Sequence, residues 1–229
     1  MELRQLTTPT ERQHFARRLT EVRMMKGAGF GETHRSVVGE VHLAYGKLYG
    51  LFDENLAGGE MLGGFAMHDL AMFSQSYPKP DLTHLPPESV FECGELWAVA
   101  AGAGRLIRHG GAIIANELGA RALLVYPILK PWNLSQGYPG FERVGEPIEW
   151  PYARTLDGGK ILVQAMVGEQ PAIQCALNEA GEYGFEVFDG GKRIHFRTPV
   201  GICTKRLDAN RLLQAATVRP SQPSARQAA

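Results

Sequence analysis

The chain of 229 residues lacks the features that mark several common classes of protein. Its three cysteines, at positions 93, 175 and 203, show no CxxC or CxxH spacing, so we expect no disulfide framework, no zinc site and a reducing, cytoplasmic setting. Lysine plus arginine number 24, as do aspartate plus glutamate, whereas nucleic-acid-binding proteins usually carry a basic surplus. No apolar run approaches the roughly 18 residues of a membrane span, and the polar N-terminus is unlike a signal peptide.

Several catalytic and metal-binding motifs are also missing. The seven histidines are scattered without a pair at ligand spacing, so no histidine-based metal site is expected. There is no G-x-S-x-G of a serine hydrolase and no Walker-type G-K-S/T of a nucleotide-binding loop. The composition, 44% hydrophobic and 21% charged, is ordinary for a globular protein, and the length suits one α/β or α+β domain.

The first predicted element is an amphipathic helix. Thr10 followed by Gln13 fits a capping box, with Pro9 just outside, and apolar residues then recur at helical spacing until about Gly27. The arginines of this helix are Arg12, Arg17, Arg18 and Arg23. They form either a solvated face or a docking surface for an acidic carrier protein.

Hydrophobic patterning predicts strands and helices along the rest of the chain. The expected strands are residues 47–53, 61–70, 90–99, 121–129, 141–150, 160–167, 185–188 and 193–197, and the expected helices are 36–45, 105–118 and 172–179. The irregular stretch 71–88 is either a functional cover or plain surface packing. We expect one domain over residues 1–210, with a core at 45–150, an extension at 151–210 and a disordered tail at 211–229.

The segment 90–141 is the most informative part of the chain. A predicted strand ends in the glycine-rich turn AGAG and a helix follows, so unpaired backbone N–H groups and the positive end of a helix meet there. Such a turn is a ready site for a phosphate, and Gly102 and Gly104 allow close backbone approach. Arg105 and Arg108 are unfavourable at a helix start but favourable beside an anion. The alternative is an ordinary strand-to-helix turn with two exposed arginines.

Two glycines lie inside the predicted helix. Gly110 and Gly111 should each cost about 1 kcal/mol relative to alanine, so a packing or ligand reason is expected. Either the helix approaches the sheet closely there, or the helix begins only at Gly110 and the residues before it form one long phosphate loop. His109, beside them, either contacts a phosphate or is exposed.

The order of strand, glycine-rich turn, helix, strand and a loop ending in GYPGFERVG resembles the core of the GNAT-type N-acyltransferases. The resemblance covers about residues 45–150, and RHGGA is similar to their Arg/Gln-x-x-Gly-x-Gly/Ala loop for the coenzyme A pyrophosphate. It implies an α/β (α+β) fold with a mixed, mostly antiparallel central sheet flanked by helices. It also implies acyl-CoA or acetyl-CoA as co-substrate and a small-molecule amine as acceptor, with no metal; the oligomeric state stays open.

One branch of this family is similar in more detail. DLTHLPPESVFECGELWAV looks like the proline-containing excursion and strand of the N-acyl amino acid synthases and acyl-homoserine-lactone synthases. Those enzymes take long acyl chains, commonly from acyl carrier protein, which makes that protein a second expected partner. Trp97 stands near the arginine that is usual in the lactone synthases, so a true lactone synthase is not expected.

Two carboxylates on the predicted strand 90–99 are candidates for the base that deprotonates the amine, Glu92 and Glu95. Because side chains alternate along a strand, they point to opposite faces unless a bulge intervenes. We favour Glu95, which is nearer the glycine turn. The alternative for this carboxylate is an ion pair with an arginine.

The resemblance assigns further roles along the segment. Tyr138, in the region NLSQGYPGF, matches the tyrosine that protonates the departing thiolate, and the alternative is packing on Phe141. The opening expected between strands 90–99 and 121–129 would admit the thioester, with backbone amides near Val99 stabilising the oxyanion. The residues expected to bind the cofactor are Trp97, Ala98, Val99, Gly102, Gly104, Arg105, Arg108, Gly110, Gly111 and Asn133. A GNAT-like protein that only binds a ligand or partner stays open as a further alternative.

Overall fold

A computed structural model describes residues 1–25, 28–29, 46–53, 60–73, 80–129, 138–155 and 158–197, which form three helices and two sheets. The helices are α1 (Pro9–Met25), α2 (Ala103–Glu117) and α3 (Gln170–Gly181). The strands are β1 (Glu2–Gln5), β2 (Ala28–Gly29), β3 (Lys47–Asp53), β4 (Glu60–Asp69), β5 (Val90–Ala98), β6 (Ala122–Val125), β7 (Glu142–Arg143), β8 (Ile148–Thr155), β9 (Lys160–Val163), β10 (Met166–Glu169), β11 (Phe185–Phe188) and β12 (Arg193–Phe196). No helix among these residues is long and apolar enough to cross a membrane. The helix predicted at 36–45 and the tail at 211–229 lie outside the described residues.

The large sheet has nine strands in the order β11-β12-β1-β3-β4-β5-β6-β10-β7, and the small sheet has the order β2-β8-β9. Strands β5 and β6 run parallel, whereas the other neighbours in the large sheet are antiparallel. The mixed, mostly antiparallel sheet that the sequence predicts is therefore confirmed, as are its two hairpins, β3–β4 and β11–β12. Helix α2 connects the two parallel strands by crossing over one face of the sheet.

The helices cover both faces of the large sheet. Helix α2 packs so closely on one face that a Cβ atom at Gly110 would overlap the Leu3 side chain. Close helix-to-sheet packing is thus the reason for this mid-helix glycine, and the alternative of a helix that begins only at Gly110 is wrong. Helix α1 covers the opposite face, where the ring of Phe15 lies 5.8 Å from the ring of Trp97 and Gly64 leaves space for Phe15.

Helix α2 begins two residues before its predicted start and ends where the sequence predicts its cap. Gly119 has a φ of +73°, in the left-handed region that favours glycine. Its N–H donates to the carbonyl of Asn116 at 3.0 Å, and the N–H of Ala120 donates to the carbonyl of Ala115 at 2.9 Å. The two bonds form a Schellman motif, which closes the helix at its C-terminus.

Two predicted strands are each divided in two. Residues 141–150 become β7 and the start of β8, in different sheets, because Gly145 turns the chain with a φ of +67°. Residues 160–167 become β9 and β10, with Gln164 between them. The side-chain amide of Gln164 donates to the carbonyls of Val144 and Gly145 at 3.2 Å and 3.1 Å. One side chain therefore stabilises both breaks.

The N-terminal cap of α1 lies two residues before the predicted one. The hydroxyl of Thr8 accepts a hydrogen bond from the N–H of Glu11 at 3.3 Å, and the Glu11 carboxylate accepts one from the N–H of Thr8 at 3.2 Å. This reciprocal pair is a capping box, with Pro9 at the first helical position rather than outside the helix. The predicted box of Thr10 and Gln13 is wrong, because Thr10 already lies in the first turn.

Thr8→Ala is expected to lower the free energy of unfolding by about 1 kcal/mol, because the N–H of Glu11 loses its acceptor. Thr10→Ala is the matched control: this threonine is exposed and caps nothing, so its loss should change stability by less than about 0.5 kcal/mol. Urea unfolding of the two variants beside the wild type measures both effects. Equal losses in the two variants would contradict the cap at Thr8.

Candidate functional site

The parallel strands β5 and β6 pair only at their first residues. On β5 the pairing runs from Val90 to Glu92, and the last partner on β6 is Leu124. Strand β5 then continues to Ala98 paired with β4 alone among the described residues, while β6 ends at Val125, short of its predicted end. The two strands thus leave an opening in the sheet beyond Glu92, where the sequence predicts one.

A cavity of about 170 Å³ lies over this opening, on the face of the sheet that α2 and α3 cover. Cys93 and Leu96 of β5 and Leu123 and Val125 of β6 form its largely apolar floor. Its polar wall residues are Arg105, Arg108, His109, Tyr138 and Glu179. The cavity therefore suits a ligand that is mostly apolar and carries polar or charged groups towards α2.

Glu95 sits at a bulge in β5. Its φ of +53° is unusual for a residue other than glycine, and the register of β4 against β5 shifts opposite it. Because a bulge adds one residue to the strand, Glu92 and Glu95 point to the same face of the sheet instead of opposite faces. That face is the one covered by α1, whereas Cys93 and Leu96 point into the cavity.

The carboxylate of Glu95 forms an ion pair with the guanidinium of Arg23 on α1. The Glu95 side chain is 7% exposed and that of Arg23 is 25% exposed, so the pair is largely withdrawn from water. The guanidinium occupies this carboxylate, so a substrate amine would have to displace it to use Glu95 as a base. The arginine pairing that the sequence offered as the alternative role for Glu95 is confirmed.

Glu92 is buried at the point where β5 and β6 stop pairing. Its Oε2 lies 3.5 Å from Nε2 of His68 on β4, and the side chains are 2% and 0% exposed respectively. Burial, and then the charge of Glu92, raise the pKa of the neighbouring Tyr126. The sequence analysis missed His68, because its position beside Glu92 follows only from the register of β4 against β5.

The start of α2 is open to a ligand. Gly102 is the N-cap residue with a φ of +80°, and no side chain caps this end of the helix. The N–H groups of Ala103 and Arg105 donate to the carbonyls of Ala100 and Gly102 at 3.2 Å and 3.0 Å, and the positive end of the helix dipole lies there. A Cβ atom at Gly104 would meet Ala98 at an ordinary 3.7 Å, so packing does not require this glycine. These features suit an anion, whose binding stays a prediction.

The two arginines of α2 are placed differently. Arg105 is exposed and donates to the hydroxyl of Tyr183 at 2.9 Å. Arg108 is half-buried, with its guanidinium carbon 5.9 Å from the centre of the Tyr138 ring. Since both line the cavity, the alternative of two exposed arginines holds for Arg105 alone.

Tyr138 lies at the cavity wall and packs on Phe141, with the ring centres 5.5 Å apart. Burial, and then the nearby Cys93, raise the pKa of Tyr138, while Arg108 acts in the opposite direction. Burial also raises the pKa of the Cys93 thiol, to about 12. Both groups therefore stay protonated at neutral pH. Tyr138 makes the packing contact offered as its alternative role, and its role as a proton donor stays a prediction.

Two of the expected cofactor-binding residues, one on β5 and one directly after it, are engaged elsewhere. Trp97 is 1% exposed and packs on Phe15, on the face opposite the cavity. The N–H of Val99 donates to the carbonyl of Leu62 at 2.9 Å, so it does not serve as an oxyanion donor. Because backbone groups alternate in direction along a strand, the N–H of Ala98 points away from β4 and towards the opening.

The predicted phosphate loop around Gly110 and Gly111 is not present, since both residues are buried in the middle of α2. Gly110 lies against the sheet, and Gly111 lines the cavity beside Cys93. His109 is 4% exposed, so the alternative that this residue is exposed is wrong. Asn133 lies outside the described residues. Within the described ranges no group of three or more His, Cys, Asp or Glu residues could hold a metal ion.

Comparisons with known proteins identify the fold. No family model and no curated protein sequence matches the chain. The solved structure of FeeM, an N-acyl amino acid synthase from uncultured soil microbes, matches at 14% identity over 80% of this chain and 98% of its own, with a TM-score of 0.53. Spermidine N-acetyltransferase from Vibrio cholerae, in complex with CoA and spermine, matches at 14% identity over 75% and 96%, with a TM-score of 0.51. At such identities the likeness shows that the chain shares their fold.

Proposed function

We propose that this chain, which has the GNAT fold, is an N-acyltransferase that moves an acyl group from an acyl thioester to an amine by direct attack. One observation carries the proposal. Strands β5 and β6 part over a cavity on one face of the sheet, and the buried carboxylate of Glu92 lies at the same point on the other face. A donor that enters from the α2 face and an amine that enters from the α1 face would meet at this opening.

Acyl-CoA is the donor that the start of α2 fits. Gly102 and Gly104 bring backbone N–H groups and the helix dipole to a diphosphate, and Arg105 and Arg108 add two cations beside it. The edge of β5 at the opening can pair with the amides of a pantetheine arm as an added strand would. The N–H of Ala98, at the same edge, would stabilise the negative charge that builds up on the thioester carbonyl oxygen.

Proton transfer is divided between the two faces of the sheet. Glu92 takes a proton from the ammonium of the acceptor, directly or through a water, so that the nitrogen can form the C–N bond while the C–S bond breaks. Tyr138 gives its hydroxyl proton to the departing sulfur. The amine loses its second proton to solvent, and Tyr138 regains a proton from solvent. We now prefer Glu92 to Glu95 as the base, because Arg23 holds the Glu95 carboxylate.

A carrier-protein donor with a long acyl chain is the second candidate, since FeeM is an N-acyl amino acid synthase and a carrier presents the same pantetheine arm. The arginines of α1 do not favour it. Arg12 donates to a main-chain carbonyl at 3.1 Å, and Arg18 pairs with Glu21 at 2.6 Å. Arg23 is held by Glu95, so three of the four arginines are engaged within the chain and only Arg17, 68% exposed, is well placed to meet a carrier.

Native mass spectrometry of the purified chain with CoA and with acyl-CoAs from two to sixteen carbons tests the donor site. We expect saturable binding with one ligand per chain. Arg105→Ala and Arg108→Ala should each weaken it about tenfold, because each removes a charge-assisted contact to phosphate. Arg17→Ala is the matched control, since this arginine is 68% exposed on α1 and should not affect the dissociation constant.

Three other outcomes would redirect the proposal. Binding of an acylated carrier protein without binding of CoA would select the carrier as donor. Binding without turnover on any donor and amine would select a ligand-binding role instead of catalysis. Absence of binding for every thioester would contradict the acyltransferase itself.

A further inference from the structure

His109 is a buried side chain with an unsatisfied polar atom. It is 4% exposed, and its Nε2 has no hydrogen-bond partner among the described residues. The nearest carboxylate oxygen, Oε2 of Glu179 on α3, is 4.0 Å away, too far for a hydrogen bond. Buried polar atoms in folded proteins are nearly always paired, so an orphan atom on a residue that lines the cavity points to a partner that arrives with a ligand.

The imidazole is uncharged at neutral pH. Burial, followed by the neighbouring cations Arg108 and Arg105, lowers the pKa of His109 to about 4. A neutral imidazole offers one N–H donor and one acceptor nitrogen, so it can pair with an uncharged group that either accepts or donates. The phosphate contact that the sequence offered for His109 stays a prediction, but an uncharged polar group is enough to pair its Nε2.

The surroundings of His109 restrict that partner further. The cavity floor below it is made of the side chains of Leu96, Leu123 and Val125 and of the protonated thiol of Cys93. A small polar molecule would leave this apolar surface uncovered, whereas an apolar chain that carries one carbonyl, hydroxyl or amide would satisfy both parts.

We propose that His109 is a specificity-determining residue. Its Nε2 forms a hydrogen bond with an uncharged oxygen or amide on the otherwise apolar chain of the donor, and donors that carry this group are preferred. The inference rests on the proposed function, because the chain in question is the acylated arm of the thioester donor. Such a site distinguishes between ligands more strongly than a purely apolar pocket does, because a ligand without the hydrogen-bonding group leaves the buried nitrogen unpaired.

The hydrogen-bonding group has three sources in an acyl thioester. One is an amide of the pantetheine arm, which CoA also carries. The second is the thioester carbonyl, which every acylated donor carries. The third is an oxygen further along the acyl chain, which only some donors carry. Three probes separate these sources: CoA, hexanoyl-CoA and 3-hydroxyhexanoyl-CoA.

The test compares the wild type with His109→Gln, His109→Asn and His109→Leu by native mass spectrometry. The amide of glutamine reaches the position of Nε2, that of asparagine reaches only the position of Nδ1, and leucine has no polar atom. We expect glutamine to keep the affinity and asparagine and leucine to lose about tenfold. A loss with all three probes identifies the pantetheine amide. A loss with the two acylated probes identifies the thioester carbonyl, and a loss with the hydroxylated probe alone identifies the acyl chain.

A second measurement separates ligand binding from a structural role. Because Nε2 has no partner to lose, His109→Leu should leave the midpoint of thermal unfolding without ligand unchanged or raised. A lower midpoint together with unchanged affinities would show a structural histidine and overturn the proposal. Wild-type affinity of His109→Leu for all three probes would also overturn it, with the proposed function intact. No binding by the wild type would instead refute the proposed function, and this inference with it.

Discussion

Tyr138→Phe is expected to lower kcat about 100-fold and to leave the dissociation constant of the donor within about threefold of the wild type. The hydroxyl protonates the sulfur only as the C–S bond breaks, so its loss should destabilise the transition state and leave binding of the donor in the ground state unchanged. Phenylalanine keeps the ring that packs on Phe141 and faces Arg108. Steady-state kinetics with the donor found by mass spectrometry gives kcat, and the binding titration gives the dissociation constant.

Tyr49→Phe is the matched control for this variant. Tyr49 is also a buried tyrosine, and burial raises its pKa to about 12, but it stacks on Phe65 at 5.2 Å away from the cavity. Removing its hydroxyl should therefore leave kcat unchanged. An unchanged kcat in Tyr138→Phe would mean that this tyrosine serves only to pack on Phe141.

The pH dependence supplies an independent check on Tyr138. Burial, and then Cys93, raise its pKa, so the phenol stays protonated well into the alkaline range. A rate that depends on a protonated Tyr138 should consequently show no alkaline decline below about pH 10, the ordinary tyrosine value. A decline that Tyr138→Phe abolishes would show that the phenol titrates lower than its burial implies.

Elements with strong local signals were predictable from sequence. The Schellman motif at the end of α2 requires a left-handed φ at one position, and Gly119 is the residue type that adopts it readily. The hairpin of β11 and β12 follows from two apolar runs around a glycine turn. The mixed sheet was predictable from the order of such elements and from the family resemblance, because neither depends on knowing individual side-chain contacts.

Features that depend on distant partners were not predictable. The bulge at Glu95 exists because β5 shifts register against β4, and neither strand alone shows it. The division of 160–167 into two strands involves Gln164, whose amide donates to carbonyls about twenty residues earlier in the chain. The cap of α1 was misplaced by two residues because two overlapping sequence patterns fit, and only the hydrogen bonds of Thr8 decide between them.

The residues of the candidate site likewise divide into those readable from local sequence and those set by distant partners. The glycine turn with Arg105 and the loop with Tyr138 carry residue types whose chemistry is readable in sequence. The sequence names Glu92 as a candidate base, but the preference for it over Glu95 and the unpaired nitrogen of His109 are not readable in this way, because each depends on a partner or covering element from elsewhere in the chain. His68 of β4 lies beside Glu92, and α3, far along the chain, closes the cavity over His109.

Glu92→Gln is expected to lower kcat/KM for the amine about 100-fold at pH 7, whereas Glu95→Gln should lower it less than about threefold. Glutamine keeps the size of the side chain but cannot accept the proton of the ammonium. Glu95 is already held by Arg23, so its replacement removes an ion pair on the α1 face and no proton acceptor. Thermal unfolding of both variants is needed beside the kinetics, because Glu92 is buried against His68 and its change also affects packing.

The defect of Glu92→Gln should shrink as the pH rises towards the pKa of the acceptor ammonium, about 10 for an alkyl amine. An amine that is already deprotonated needs no base, so the variant and the wild type converge, whereas a defect caused by misfolding would persist at every pH. The profile of Glu95→Gln should follow that of the wild type throughout. If Glu95→Gln shows the large, pH-dependent loss instead, Glu95 is the base, and Arg23 must release its carboxylate when the amine binds.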